Sequence, residues 1–424
     1  MKSKLLLAGM IMLVCQPGFA ERIWSSAADI QITAASIPSE IKTEKAHKFD
    51  EKIKVSMQKW QIPGAQLAIA RNGNIVYAHA FGFADLDARA PVQPDSLFRI
   101  ASISKCITSI AIMKLVEDGK LSLSDKVFQL LPNMVPVISN HGKNVDAQLL
   151  DITVRELLDM TAGWEHKKGS DPLFMPQLKR IADRCETLVP PPLETICQYE
   201  LNKKFRWSPG THYAYSNLSF ALLGQIISER SQEDYTDYCQ NHLFKPLLLG
   251  NIQAAGRLPS QRLSGEVKYY PSGISSKRKS IFSVDLEKKL PAPYGQVDIE
   301  RYTSSFGWAA DAGSILRFIY AATHDGGILK QDSVAKMLVR PAATDWTHSA
   351  NYIAASFLTS SNFSEGKASI FRDGSLPGTR SFFISYPDGT SCCALFNSRP
   401  ANSKADRLRQ EMISLFDQIK QELQ

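Results

Sequence analysis

The chain has 424 residues, 44% of them apolar and 21% charged, with a formal net charge of +7. That length allows two lobes or one large domain, and the composition is that of an ordinary globular protein, not a disordered, fibrous or disulfide-dense one. The excess positive charge is scattered. Its one tight cluster, Lys277, Arg278 and Lys279, reads as a solvated loop, without the basic-aromatic pattern that nucleic-acid binding needs.

Lys2 and Lys4 precede an apolar segment from Leu5 to Val14, followed by Pro17-Gly18-Phe19-Ala20. This is the pattern of a secretory signal, with the small Ala20 at the cleavage point, so residues 1–20 are expected to be removed before Glu21. The segment is too short for a permanent membrane span, and no other run approaches the required length. Val14 is bulky where a small residue should precede a lipidated cysteine, which argues against an anchor at Cys15. The mature protein is therefore expected to be soluble and exported, periplasmic or secreted. Residues 21–45 are polar and irregular and read as a lead-in.

In "AQLAIARNGNIVYAHAFGFA", Asn72-Gly73 lies between two β-rich segments, a strong hairpin signal. From Ser102 to about Phe318 the patterns are mostly helical: Ile103 to Asp118 ending at Gly119, Thr153 to Met160, Leu218 to Arg230, and Ala312 to Thr323. In "TRSFFISYPDGTSCCALFNS" the hairpin design returns, with Asp388-Gly389 at the turn. The segment from about Lys404 to Leu423 has helical spacing at Leu408, Met412, Leu415, Phe416 and Ile419. Two hairpins that must each bury a face and cover an edge predict one antiparallel sheet made from both chain ends and flanked by helices. The expected fold is α+β and two-lobed: one domain over 46–424, with a sheet lobe at about 46–98 and 304–424 and a mostly helical lobe at about 99–303. A cleft between lobes is a preferred place for a ligand.

Six cysteines follow Cys15: Cys106, Cys185, Cys197, Cys239, Cys392 and Cys393. Cys185 and Cys197 flank Pro190-Pro191-Pro192 and in an exported protein can close a short loop, the alternative being two unpaired thiols. In the chain-entropy model such a bridge contributes about 3 kcal/mol. Nothing has metal-ligand spacing, and no cofactor is implied.

Within "FRIASISKCITS", Lys105 follows Ser102 by three residues at the start of a helix built for burial. A serine hydroxyl needs a base before it becomes a nucleophile, and positions three apart share a helix face. Lys105 can act as a neutral base, or stay charged and assist another base. The bland alternative makes Ser102 a helix cap and lets Lys105 snorkel to water. Spacing alone is weak, because Ser-x-x-Lys recurs at Ser39, Ser56, Ser276, Ser333 and Ser364. "WSPGTHYAYSNLSFALLGQII" adds the chain's one Tyr-x-Asn, Tyr215-Ser216-Asn217, just before a helix. A phenol beside an ammonium loses its proton more readily, so Tyr215 can relay protons to and from Ser102. Asn217 can orient Lys105 or a substrate carbonyl, or merely cap the helix.

Together with "PGAQLAIARNG", "GKLSLSDKV", "ITVRELLDMTAGW" and "DGSLPG", in this order over about residues 50 to 400, these stretches make the chain resemble the class C β-lactamase and penicillin-binding protein family of serine hydrolases, which also holds DD-peptidases and esterases. The resemblance implies a β-lactamase/transpeptidase-like fold. It implies Ser102 as acyl-forming nucleophile, Lys105 as its helical partner, Tyr215 as general base and acid, and Asn217 as a binding and orienting residue. The family's third motif, Lys-Thr-Gly or His-x-Gly, is matched by Arg372-Asp373-Gly374. The N–H groups of Ser102 and Ser375 would form the oxyanion hole, and Gly374 would leave room for the acyl group.

The departure is Asp373, an acid where a hydroxyl would help bind a carboxylate. It disfavours a β-lactam or a D-alanyl-D-alanine end unless Arg372 neutralises it, and it suits a neutral ester or an amide with a free amino group; the alternative is that Asp373 turns away and only its backbone matters. Trp164, His166 and Tyr302 are further candidates to reach a substrate, with packing as the simpler role for each. The leading expectation is an exported serine hydrolase acting on an ester or amide, a β-lactam and a D-amino acid peptide being among the options. The alternative is a penicillin-recognising sensor that acylates without turnover. The expected partner is a small-molecule or peptide substrate, with no nucleic acid and no stable membrane span.

Overall fold

The computed structural model describes residues 43–135, 147–164, 170–203, 205–271, 277–282, 288–324, 327–347, 349, 351–360, 369–400 and 402–423. The signal segment, its cleavage point, Cys15 and His166 lie outside the described residues. Helix α1 (Thr43–Trp60) leads into strands β1 (Gly64–Arg71) and β2 (Asn74–Asp85). Between them Asn72 and Gly73 both take the left-handed conformation, with φ of 48° and 77°. A tight two-residue hairpin requires this, and an asparagine followed by a glycine supplies it at least cost. Strand β3 (Ala90–Pro91) extends the hairpin, and β4 (Phe98–Arg99) carries the chain to helix α2 (Ser104–Glu117).

The helical part follows: α3 (Val154–Leu158), α4 (Gln177–Arg184), α5 (Leu193–Leu201) and α6 (Asn217–Ser231). Helix α3 starts on a capping box. Glu156 N–H donates to Thr153 Oγ1 (3.3 Å), and Thr153 N–H donates to Glu156 Oε2 (2.7 Å). After β5 (Ile252–Ala254) and the small pair β6 (Arg278–Lys279) and β7 (Lys289–Leu290) come α7 (Thr303–Phe306), β8 (Trp308–Ala310) and α8 (Ala312–Thr323). The chain then forms β9 (Asn351–Ala354), β10 (Phe357–Ser360), β11 (Ile370–Leu376), β12 (Thr379–Ser385), β13 (Thr390–Phe396) and α9 (Asn402–Leu423).

Both chain ends build one sheet in the order β3-β2-β1-β13-β12-β11-β10-β9, as the paired hairpins predicted. Its neighbours run antiparallel, with β1 joined to β13 from Ala65↔Phe396 to Arg71↔Thr390. Alternation divides β1 between two cores. Leu67 and Ile69 face α1 and α9, meeting Phe49, Ile53, Leu408, Met412 and Phe416. Ala68 and Ala70 face the other way, where small side chains let α8 lie close. The helical lobe continues this second core through α2, which is apolar nearly all round and central. Among the described residues no helix is long and apolar enough to cross a membrane.

The bridge between Cys185 and Cys197 is absent, and both are free thiols. Cys185 ends α4 half-buried, whereas Cys197 is turned into the core within α5. Burial pushes both thiols upward in pKa.

Candidate active site

Ser102 reaches the lobe boundary through a short strand and a strained turn. Strand β4 pairs with β8, and Ile100 N–H donates to Trp308 O (2.9 Å). Ala101 then takes φ of 49°, the left-handed conformation that is ordinarily glycine's. Such a residue costs of order 1–3 kcal/mol and persists only where its surroundings over-determine it. Here Ser381 Oγ donates to Ile100 O (2.8 Å), and β11 closes over the turn. Ser102 sits in a 3-10 turn (Ala101–Ile103), two residues before the first residue of α2 and not in the helix itself.

Lys105 has no exposed surface. An ammonium has three donors and no acceptor, and each donor has a partner: Asn217 Oδ1 (2.6 Å), Ser305 O (2.7 Å) and Ser102 Oγ (3.4 Å). It also lies 5.0 Å from the Tyr215 ring centroid and 5.9 Å from that of Phe306. Burial lowers its pKa. Arg372 adds to that, Tyr215 and Asp171 oppose it, and the net direction is down. Lys105 therefore does not snorkel to water.

Tyr215 Oη lies 2.6 Å from Ser102 Oγ and 3.4 Å from Asn217 Oδ1. As a residue Tyr215 is 36% exposed, although its phenol oxygen is turned inward to Ser102. Desolvation of the phenol works upward on its pKa, but the cations Lys105 and Arg372 outweigh it and bring the group below 10.0. Arg372 is buried on β11. It donates from Nη1 to Ser356 O (3.0 Å) and from Nε to Ser102 O (3.4 Å), and its guanidinium carbon is 5.5 Å from the Tyr215 ring. Asn217 is free to do this work because Ser216 caps α6, accepting from Ser219 N–H (3.1 Å).

Gly374 and Arg372 share one face of β11, and Asp373 and Ser375 the other. A Cβ at Gly374 would come within 2.4 Å of Ile100 O and 2.9 Å of Ser102 N, so only glycine lets the strand approach the serine this closely. Asp373 is ion-paired with Arg380 (Oδ2 to Nη1, 2.7 Å), on the sheet face that carries Phe371 and Phe382. Asp373 is thus not a free anion, and the residue that pairs with it is Arg380, not Arg372, which the sequence offered as the one exception. Ser375 Oγ accepts from Arg399 Nη1 (2.9 Å). Trp164 is buried and donates from Nε1 to Ser216 Oγ (2.9 Å), and Tyr302 is fully buried, so neither faces a substrate.

One residue at the site escapes sequence reasoning. Asp171 Oδ2 accepts from Asn217 Nδ2 (2.6 Å). Nothing in its spacing, 46 residues before Asn217, signals the contact. Among the described residues no group of three or more His, Cys, Asp or Glu could hold a metal ion. The arrangement can deprotonate a hydroxyl, hold an ammonium beside the phenol that takes its proton, and leave the nucleophile partly exposed.

A family model described as "Beta-lactamase" matches residues 49–415. Among curated proteins, Protein flp of Staphylococcus aureus (strain NCTC 8325 / PS 47) is 31% identical over 199 residues, 47% of this chain and 36% of that protein. Penicillin-binding protein 4* of Bacillus subtilis (strain 168) is 29% identical over 217 residues, 51% of this chain and 42% of that protein. The matched stretch thus spans less than half the length of either relative. Among solved structures, the D-amino acid amidase from Ochrobactrum anthropi SV3 complexed with L-phenylalanine superposes with a TM-score of 0.66 at 18% identity, covering 90% of this chain and 100% of that one. The penicillin-binding protein homologue from Pyrococcus abyssi gives 0.63 at 21% identity, covering 87% and 77%. At these identities the structures speak to fold, and they agree on the two-lobed α+β architecture.

Proposed function

The chain belongs to the beta-lactamase family, and from that premise we propose that it is an exported serine hydrolase that opens an ester or amide bond through an acyl-enzyme on Ser102. One observation carries the reading: Ser102 Oγ lies 2.6 Å from a phenol of lowered pKa, with a buried lysine 3.4 Å from the same oxygen. In the proposed cycle Tyr215 Oη takes the Ser102 proton as Oγ attacks the substrate carbonyl. Lys105 and Arg372 stabilise the phenolate form before attack. The N–H groups of Ser102 and Ser375 receive the developing oxyanion, a donor of this kind being worth about 3 kcal/mol. Tyr215 returns the proton to the leaving group, and the same phenol activates water for deacylation.

The ion pair to Arg380 bears on substrate choice. A neutralised Asp373 no longer repels a substrate carboxylate, so the argument for neutral esters over D-amino acid peptides or β-lactams loses its main support. The names of the relatives, penicillin-binding protein and D-amino acid amidase, support an amide among the substrates. The test is a hydrolysis screen pairing neutral esters with penicillins and D-amino acid amides, run with wild type and Ser102→Ala. Turnover lost in Ser102→Ala is expected. Stoichiometric acylation with no turnover of any substrate would favour the sensor reading instead.

A further inference from the structure

We propose that Asp171 is a positioning residue for this reaction: through the Asn217 side chain it fixes where Lys105 sits beside Ser102. The inference rests on the hydrolase reading above. Asp171 belongs to the segment ahead of α4 and is half-buried. Its carboxylate is held at both oxygens. Oδ1 accepts from Leu173 N–H (2.9 Å), and Oδ2 accepts from Asn217 Nδ2 (2.6 Å). Phe174, three residues on, packs against Phe306 with ring centroids 5.4 Å apart, next to the Ser305 carbonyl that also receives Lys105.

Asn217 has two chemically different ends, and its neighbours permit one orientation. Asp171 only accepts, so it demands the NH2 end. Lys105 only donates, so it demands the carbonyl end, which it meets at 2.6 Å. A flipped amide would set donor against donor at Lys105 and acceptor against acceptor at Asp171. Remove Asp171 and the amide is held at its carbonyl end alone, by Lys105 and, at 3.4 Å, by Tyr215 Oη, with water free to compete for the NH2 group. The ammonium then keeps Ser305 O but has one of its two short contacts loosened, and with it part of its alignment to Ser102 Oγ. Misplacing a catalytic group by about 1 Å can cost about 100-fold in rate.

Asp171 also supplies charge. Facing Lys105 are Arg372 from β11, Tyr215 from the segment before α6, and Cys106 on its own helix, whose thiol burial pushes up to about 12 and keeps neutral. Asp171 is the carboxylate in this set, and it works to keep Lys105 protonated against burial and Arg372. Loss of that charge moves the Lys105 titration to lower pH.

The test uses the mature full chain and p-nitrophenyl acetate, a neutral substrate that a carboxylate cannot attract. Intact-mass kinetics of Ser102 phosphonylation by a neutral fluorophosphonate report acylation where turnover is slow. For Asp171→Ala we expect kcat and phosphonylation to fall about 10- to 100-fold with KM nearly unchanged, and the alkaline limb of the kcat profile to move to lower pH. Asp171→Asn keeps the shape and an acceptor for Asn217 but not the charge. It should recover much of the rate while keeping the shifted limb, and it serves alone if the alanine variant fails to fold. Unchanged rate and profile in the folded variants would overturn the proposal. So would a rise in KM alone, confined to substrates bearing an ammonium, because Asp171 would then be a substrate-binding group. Ser102→Ala separates the two readings. Activity surviving in Ser102→Ala counts against the hydrolase reading and this inference together, whereas an inactive Ser102→Ala beside an unaltered Asp171→Ala counts against Asp171 alone.

Discussion

Each proton of Lys105 has an acceptor, and that is why an ammonium survives with no exposed surface three residues after Ser102. Its partner Tyr215 gains an easier deprotonation from the arrangement, and the sign can be followed in a pH profile. Activity that needs the phenol to accept a proton rises with pH through the Tyr215 titration. Because that titration lies below 10.0, the acidic limb should lie below the range of an ordinary tyrosine. Lys105→Ala removes a cation from beside the phenol, so the limb should move to higher pH as the maximal rate falls. A limb that stays put in a well-folded Lys105→Ala protein would separate the lysine from the phenol. Tyr215→Phe removes only the oxygen, and acylation should slow by about 10²- to 10⁴-fold. Asp373 now makes a different prediction from the one its sequence position suggested. Asp373→Thr strands the buried Arg380 guanidinium. It should cost about 1–3 kcal/mol of stability in urea titration and leave the ratio of ester to penicillin kcat/KM essentially unchanged. A clear shift of that ratio towards penicillins would return Asp373 to the substrate side of the strand.

At the scale of elements, β11 and the Ser102 turn fit each other with no space to spare. Gly374→Ala places a methyl against Ile100 O and Ser102 N, so one of the two segments must move. Phosphonylation of Ser102 should fall about 100-fold while the far-UV spectrum stays that of wild type. A wild-type labelling rate would mean the turn yields without consequence. These elements differ in how openly the sequence declares them. Asn72-Gly73 and the spacing of Leu408, Met412, Leu415 and Phe416 carry local signals, so the first hairpin and α9 are readable from residues alone. Ser102, Lys105, Tyr215 and Asn217 are readable because chemistry and spacing coincide. The Arg380 partner of Asp373 and the amide-holding role of Asp171 depend on which side chains the fold brings together, and no short-range pattern encodes that. Helix α1 was hidden by its polar face, inside a stretch that reads partly as lead-in.

In the molecule as a whole, the two chain ends share responsibility for the sheet. Helices α1 and α9 cover one face together, tied by Glu411, which accepts from Ser56 Oγ (3.2 Å), Trp60 Nε1 (2.8 Å) and Lys59. The site lies beyond the other face. Phe416→Ala should therefore cost about 3–5 kcal/mol of stability, read by denaturant unfolding, and leave the acylation rate at low temperature within twofold of wild type. A large loss of rate in the folded variant would couple the outer face to the site in a way the packing does not suggest. The central claim is that both lobes converge to make Ser102 a nucleophile. It is tested most directly by trapping the acyl-enzyme during turnover of an activated ester and mapping the adduct by peptide mass spectrometry. The adduct should sit on the peptide containing Ser102, form and decay at rates that account for turnover, and be absent from Ser102→Ala. Turnover at the wild-type rate with no adduct, or with the adduct on another residue, would contradict it.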